Sequence, residues 1–182
     1  MKIYVIRHGQ TTFNKERRVA GQMDVPLNEE GLAQAKEVAG KVPADCTRII
    51  SSDLVRCRQT TEALNADRNL EVEYDARLRE RDFGSLAGKS FDDPVFSEDF
   101  WATDRAQKYD YRPYGGESVE DVLSRLSACI KDVRQNGGSP LLVTSAGIIL
   151  LLQNRLYGKA QDEKVANSTV LEFEIPETFG EK

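Results

Sequence analysis

Arg7-His8-Gly9-Gln10-Thr11 follows directly on the apolar run Ile3-Tyr4-Val5-Ile6, and the junction between these two stretches decides the fold. The run has the length and β-branched content of a buried strand. Gly9 lets the backbone turn sharply where the strand ends. An arginine and a histidine are thereby held at a strand's C-terminal edge. His8 is the only histidine in the chain, so any chemistry that needs an imidazole must use it. The guanidinium beside it is a fixed positive fork suited to a phosphoryl group, and a histidine ring nitrogen can act as a nucleophile. Taken alone, the tripeptide reads equally well as a surface loop that happens to carry both side chains.

Outward from this junction, strands alternate with helices. Asn28 is placed to cap a helix from about Glu29 to Lys41, with Glu29 and Glu30 in its first turn and Leu32, Ala35, Val38, Ala39 and Val42 as its apolar stripe. Thr47 to Ile50 reads as a second strand. Ser51-Ser52 leads into a helix beginning near Asp53, whose inner face is Leu54, Cys57, Thr61 and Leu64; Arg56 then lies in its first turn. Leu70 to Tyr74 alternates like a third strand, and Ala76 to Gly88 has the charges and glycines of a loop. Ser118 with Asp121 forms a capping box for a helix striped by Val122, Leu123, Leu126, Cys129, Ile130 and Val133, ending before Gly137-Gly138. Leu141-Leu142-Val143 is a fourth strand, followed by a helix from about Gly147 to Leu156. Thr169, Leu171, Phe173 and Ile175 make a last alternating strand, and the tail beyond Pro176 reads as frayed.

Between Ser90 and Gly116 the pattern weakens, with Phe91, Phe96, Phe100, Trp101, Tyr109, Tyr111 and Tyr114 set among acids and bases. We expect short helical pieces here, forming a cap-like insertion at about 90–116 in a single domain spanning 1–182. Arg105, Lys108 and Arg112 are candidates to meet an acidic group of a substrate. The bland reading of the aromatic residues is ordinary core packing.

The alternation predicts a three-layer α/β/α domain with a mostly parallel central sheet. In such sheets ligands bind beyond the carboxyl ends of the strands. Arg7 and His8 follow the first strand, Arg56 the second, Glu80 the third and Ser145 the fourth, so all of them come to one edge. Individually, Arg56 reads as a solvated charge and Glu80 as a member of a surface ion-pair cluster in the Arg77 to Asp82 run.

The 182 residues, 40% of them hydrophobic, suffice for one domain with a sizeable core. Twenty-five basic and 30 acidic residues give a net charge of -5, without a long basic run to follow a nucleic-acid backbone or an anionic membrane. Cys46, Cys57 and Cys129 lack the spacing of a zinc site or a disulfide framework and read as buried thiols in a reducing compartment. With one histidine, only carboxylates remain to hold a cation, so neither a metal nor another cofactor is expected. The N-terminus lacks the segments of a signal peptide, and the longest apolar run, Ile148 to Leu152, is too short to span a bilayer. A soluble, cytoplasmic protein with a small-molecule substrate is expected; the sequence does not define an oligomeric state.

Several spaced motifs carry a resemblance. Arg7-His8-Gly9-Gln10-Thr11 is followed by Asn14, by Gly21 with Asp24-Val25-Pro26-Leu27-Asn28-Glu29-Glu30-Gly31, and by Ser51-Ser52-Asp53-Leu54-Val55-Arg56 running into Gln59-Thr60. Further on come Leu78-Arg79-Glu80 with Phe83-Gly84 and Gly88, and then Gly116-Glu117-Ser118. In this order, from Met1 to about Ile175, they resemble the histidine phosphatase superfamily, the phosphoglycerate-mutase-like group of phosphatases and phosphomutases. The resemblance implies the same sheet and pocket, with His8 as the phosphorylated nucleophile and Glu80 as acid, then base. It further implies that Arg7, Arg56, Asn14 and Thr11 cradle the phosphate of a small phosphorylated substrate. One motif is broken: where the family carries a second histidine before a glycine, this chain reads Thr144-Ser145-Ala146-Gly147. Ser145 keeps a hydroxyl donor but supplies no cation. It reads as a serine ending a strand, as an inactivating substitution made by design, or as a natural departure toward binding without efficient turnover. A phosphomonoester hydrolase impaired at position 145 is therefore the first expectation, with a phosphate-ester-binding pseudoenzyme or a phosphomutase as alternatives.

Overall fold

The computed structural model describes residues 1–158 and 165–180. Strands β1 (Lys2–Arg7), β2 (Ile49–Ser51), β3 (Val72–Tyr74), β4 (Leu141–Thr144) and β5 (Val170–Glu174) form one sheet in the order β3-β2-β4-β1-β5. The first four are mutually parallel and β5 is antiparallel on the edge, so the carboxyl ends of β1, β2, β3 and β4 share one rim. The helices are α1 (Thr12–Lys15), α2 (Glu29–Val38), α3 (Val55–Asn65), α4 (Glu98–Arg105), α5 (Val119–Gln135) and α6 (Ala146–Tyr157). None of the described helices is long and apolar enough to cross a membrane.

The period-2 alternation of the strands divides the core in two. Ile3, Val5, Ile50, Leu142 and Phe173 face α5 and α6, packing with Val122, Leu126, Ile130, Ile148 and Leu152. Tyr4, Ile6, Ile49, Leu141 and Val143 face α2 and α3, packing with Val38, Cys57 and Leu64. Three layers follow from this two-sided burial. Each fully buried aliphatic side chain contributes about 1.5–3 kcal/mol, so the central strands β1 and β4, apolar on both faces, anchor the sheet.

Local signals set most of the boundaries. The Asn28 side chain accepts from Gly31 N at 2.8 Å, and Ser118 and Asp121 form the reciprocal cap of α5. The α2 helix tightens into a 3-10 turn at Ala39–Lys41. The α3 helix starts later than its sequence suggests, because Asp53 is drawn into an ion pair with Arg79 while Asp24, from a distant loop, accepts from Val55 N at 3.0 Å. The tail is docked rather than frayed as far as Gly180: Arg134 donates to the Pro176 and Glu177 carbonyls, and Phe179 packs against the larger cluster.

The segment 90–116 contains α4 and a 3-10 turn at Arg112–Tyr114. Phe96, Tyr109 and Tyr111 are buried, and Phe91, Phe100 and Trp101 pack partly buried against the same cluster. Apart from the exposed Tyr114, its aromatic residues are packed into the core. Isolated bridges from Arg18 to Ser90 and from Asp110 to Ser118 tie down its two ends.

Gly9 has its reason corrected. Its φ is not positive, and what the position requires is space: a Cβ there would overlap the Gly31 carbonyl, and one on Gly31 would overlap the Gln10 backbone. The α2 helix thus lies directly on the turn that carries His8. Gly31→Ala should cost about 1–3 kcal/mol by forcing this contact apart; chemical denaturation checks it, and an unchanged midpoint would show that the approach is not constrained.

Candidate active site

The rim formed by the four parallel strands gathers Arg7, His8, Arg56, Glu80 and Ser145, all at most 9% exposed. Arg7 ends β1 and His8 follows it, with His8 N bonded to the Thr144 carbonyl of β4 at 3.0 Å. Gly9 N donates to the Thr60 hydroxyl at 3.1 Å, and that hydroxyl donates to the Arg56 carbonyl at 2.7 Å, so α3 and the histidine turn hold each other.

His8 Nδ1 lies 2.7 Å from the Gly9 carbonyl. A carbonyl can only accept, so Nδ1 carries the hydrogen and Nε2 keeps its lone pair. Burial, first, and the neighbouring Arg56 and Arg7 charges, second, hold the imidazole well below its ordinary pKa, against a smaller opposing effect of the Gly9 carbonyl. Desolvation thus outweighs like-charge repulsion as the reason this ring is neutral.

Among the described residues, neither arginine of the rim makes a hydrogen bond to a carboxylate. Arg56 donates to the carbonyls of Met23 at 2.8 Å and Gly21 at 2.7 Å, and Arg7 donates to the carbonyl of Val165. Their Nε atoms are buried without hydrogen-bond partners, as is the hydroxyl of Ser145. Ser145 occupies the N-cap position of α6 without making a side-chain cap. Its neighbour Cys57, pushed up to about 11 chiefly by burial, is an inert thiol of the floor.

Glu80 is held at the first turn of α6. One carboxylate oxygen accepts from Gly147 N at 3.0 Å and the other from Arg81 N at 2.8 Å. Gly147 is required here, because a Cβ would overlap both the Glu80 carboxylate and the Arg81 guanidinium. Asn14 and Thr11 form the capping box of α1: Asn14 Oδ1 accepts from Thr11 N at 3.0 Å, and the Thr11 hydroxyl accepts from Asn14 N at 3.2 Å. Asn167 donates to the His8 carbonyl at 2.8 Å and approaches the same Asn14 Oδ1 at 3.4 Å. With its oxygen occupied, Asn14 has its amide NH2 left to offer to a ligand. Arg105 and Arg112 pair with Glu98 and Asp110 on the surface, and Lys108 is exposed.

The histidine phosphatase superfamily (branch 1) model matches residues 3–177. The chain belongs to this superfamily. Relatives named probable phosphoglycerate mutase GpmB, from Salmonella paratyphi A and Escherichia coli O1:K1 / APEC, are 36% and 37% identical over 154 residues, covering 82% of this chain and 71% of theirs. A mycobacterial glucosyl-3-phosphoglycerate phosphatase solved with VO3 is 26% identical with a TM-score of 0.81, covering 94% of this chain and 91% of its own. A Thermus thermophilus protein, TTHB049, is 27% identical with a TM-score of 0.78, covering 97% of this chain and 95% of its own. The histidine phosphatase fold of these neighbours is the three-layer sheet described above.

Several residues around this superfamily site escape sequence reasoning. Arg125 of α5 donates to the carbonyls of Arg77, Arg79 and Glu80 while making a two-pronged pair with Glu117, which also accepts from Asp82 N at 2.9 Å. This clamp fixes the Glu80 loop, and Gln22 adds a bond to the Glu80 carbonyl at 3.1 Å. The Arg77 to Asp82 run, read as a surface cluster, divides: Arg77 and Arg79 pair outward with Asp75, Asp132 and Asp53, while Arg81 turns inward to a buried Asp104. Asp104 set among aromatic residues was the one available signal; nothing in the sequence marks Asn167.

The lowered pKa of His8 has a thermodynamic consequence. Between its folded value and its ordinary value of 6.5, the unfolded chain binds the extra proton, so the stability linked to His8 is complete above about 6.5 and falls as the pH drops below it. Because the chain has one histidine, the imidazole nitrogen resonances are unambiguous. At pH 6 they should report a neutral ring protonated at Nδ1; a titration midpoint at or above 6.5 would contradict the buried, doubly flanked placement.

Proposed function

We propose that the chain hydrolyses a small phosphomonoester through a phosphohistidine on His8. The observation that carries this reading is the pairing of an imidazole whose Nδ1 is engaged by the Gly9 carbonyl, leaving the Nε2 lone pair for attack, with two guanidiniums that, among the described residues, are hydrogen-bonded to neutral carbonyls. A phosphate dianion can take the open Nε–H groups of Arg7 and Arg56 and the amide of Asn14, with Thr11 contributing mainly as the cap that holds Asn14. Nε2 attacks phosphorus in line, the ester P–O bond breaks, and Glu80 gives its proton to the departing oxygen. Water then loses a proton to Glu80 as it attacks; the P–N bond breaks and orthophosphate leaves. The neighbour solved with VO3, an oxyanion of phosphoryl-like shape, and the phosphoglycerate-related names of the relatives support this chemistry and put phosphorylated small acids at the head of a substrate panel. The arginines supply the charge stabilisation, so turnover is expected to be insensitive to chelators.

Labelled substrate should leave an acid-labile, base-stable phosphoenzyme. Label retained after His8→Ala would show the assignment wrong.

Ser145 favours a second reading, a phosphate-ester-binding pseudoenzyme, because the sequence resemblance puts it at the position of the family's second histidine, and its hydroxyl is unpartnered among the described residues. The transferring phosphoryl spreads charge over its equatorial oxygens, and removing one preorganised donor typically costs about 10²–10³ in kcat. Ser145→His should therefore raise kcat by roughly two to three orders of magnitude with little change in ground-state affinity. A folded variant with no gain on a broad phosphomonoester panel would put the binding reading first. Return of the phosphoryl group to a second substrate oxygen instead of water, seen as isomerised product, would mark a mutase.

A further inference from the structure

Arg81 and Asp104 form an ion pair at 2.7 Å in which each residue is only 6% exposed. The Tyr111 hydroxyl donates to the same Asp104 oxygen, and the rings of Phe83 and Tyr109 lie 5.1 Å and 4.9 Å from the guanidinium carbon. A buried guanidinium paired with one carboxylate, which a tyrosine also anchors, and flanked by two rings has little freedom to move. Its Nε–H is not spent within this network: it is buried, lacks a hydrogen bond, and sits 3.5 Å from a Glu80 carboxylate oxygen.

A group that first gives a proton and then takes one changes its charge twice. When neutral Glu80 protonates the leaving oxygen it becomes a carboxylate, and the unpartnered Arg81 Nε–H lies 3.5 Å from it, placed to receive that charge. Asp104 restrains this cation. Without Asp104, Arg81 would be free to close on Glu80 as a full ion pair and hold it as a carboxylate, which is no acid.

We propose that Arg81, fixed by Asp104 of the 90–116 segment, is the positioning residue of the acid–base group, aiming the Glu80 carboxyl and receiving the charge left when its proton departs. The inference rests on the phosphomonoesterase reading above. It gives the inserted segment a part in the chemistry through one buried side chain, independent of any contact with substrate.

The test is leaving-group dependence. p-Nitrophenolate departs without a proton, whereas the alkoxide of glycerol phosphate needs one. Asp104→Asn should lower kcat for glycerol phosphate by about 10–100-fold, a fraction of what a general acid typically supplies, and change p-nitrophenyl phosphate turnover by less than about threefold. Removing one partner of a buried pair can unfold a protein, so the apolar replacement Arg81→Met, Asp104→Leu and Tyr111→Phe is made in parallel, since swapping all partners together is tolerated far better. It should show the same split between the two esters. Equal loss on both esters in folded variants, or no loss on either, overturns the inference and leaves the phosphatase reading intact. A parent protein that cleaves the aryl ester alone has no working acid and also overturns it. A parent that cleaves neither ester, and gains no activity with Ser145→His, removes the phosphatase reading and the inference together.

Discussion

Two guanidiniums are buried beside one imidazole, and their hydrogen bonds among the described residues go to backbone carbonyls. Had Arg7 and Arg56 been paired with carboxylates, their charge would be neutralised; held by the carbonyls of Val165, Met23 and Gly21, they are positioned but still cationic. Desolvation and the Arg56 charge both oppose the ionised form of Arg7, while Glu80 favours it. Buried like charges of this kind are costly to hold together, and an anion bound between them would offset that cost. The surrounding structure serves this constraint: loop 21–25 supplies the carbonyls for Arg56, residues 165–168 meet Arg7, His8 and Asn14, and α2 closes on the His8 turn through two glycines.

The opposite wall is built by different means. Glu80 sits at the first turn of α6, where a carboxylate meets free backbone N–H groups. Its loop is fixed from behind by Arg125 and Glu117 of the α5 region and from the side by Arg81 and Asp104. Cationic and acidic halves are thus held by separate elements, and Ser145, at the N-cap of the helix whose first turn holds Glu80, keeps a buried hydroxyl without a hydrogen-bond partner among the described residues.

Much of this was legible in the sequence. Strand and helix periods gave the layers because β1 and β4 are apolar on both faces, and the caps at Asn28 and Ser118 are local signals that the fold obeys. The meeting of Arg7, Arg56, Glu80 and Ser145 followed from parallel strands sharing one rim. What escaped depends on contacts distant in sequence. Asp24 capping α3, Arg125 gripping the Glu80 loop and Asn167 reaching the His8 carbonyl have no local pattern. Arg56 looks solvated on a helix first turn because its carbonyl partners lie more than thirty residues away. The sequence marks Gly9 as a turn residue, while the crowding by Gly31 that demands a glycine there is visible only in three dimensions.

The central claim is that His8 Nε2 and the two free arginine edges surround a single phosphoryl position. A crystal structure of the protein soaked with vanadate tests it most directly. Vanadium bonded to His8 Nε2, with its oxygens on Arg7 and Arg56 and one apex facing Glu80, is the predicted result. Vanadate bound away from His8, or held by the arginines with the imidazole turned aside, would contradict the account.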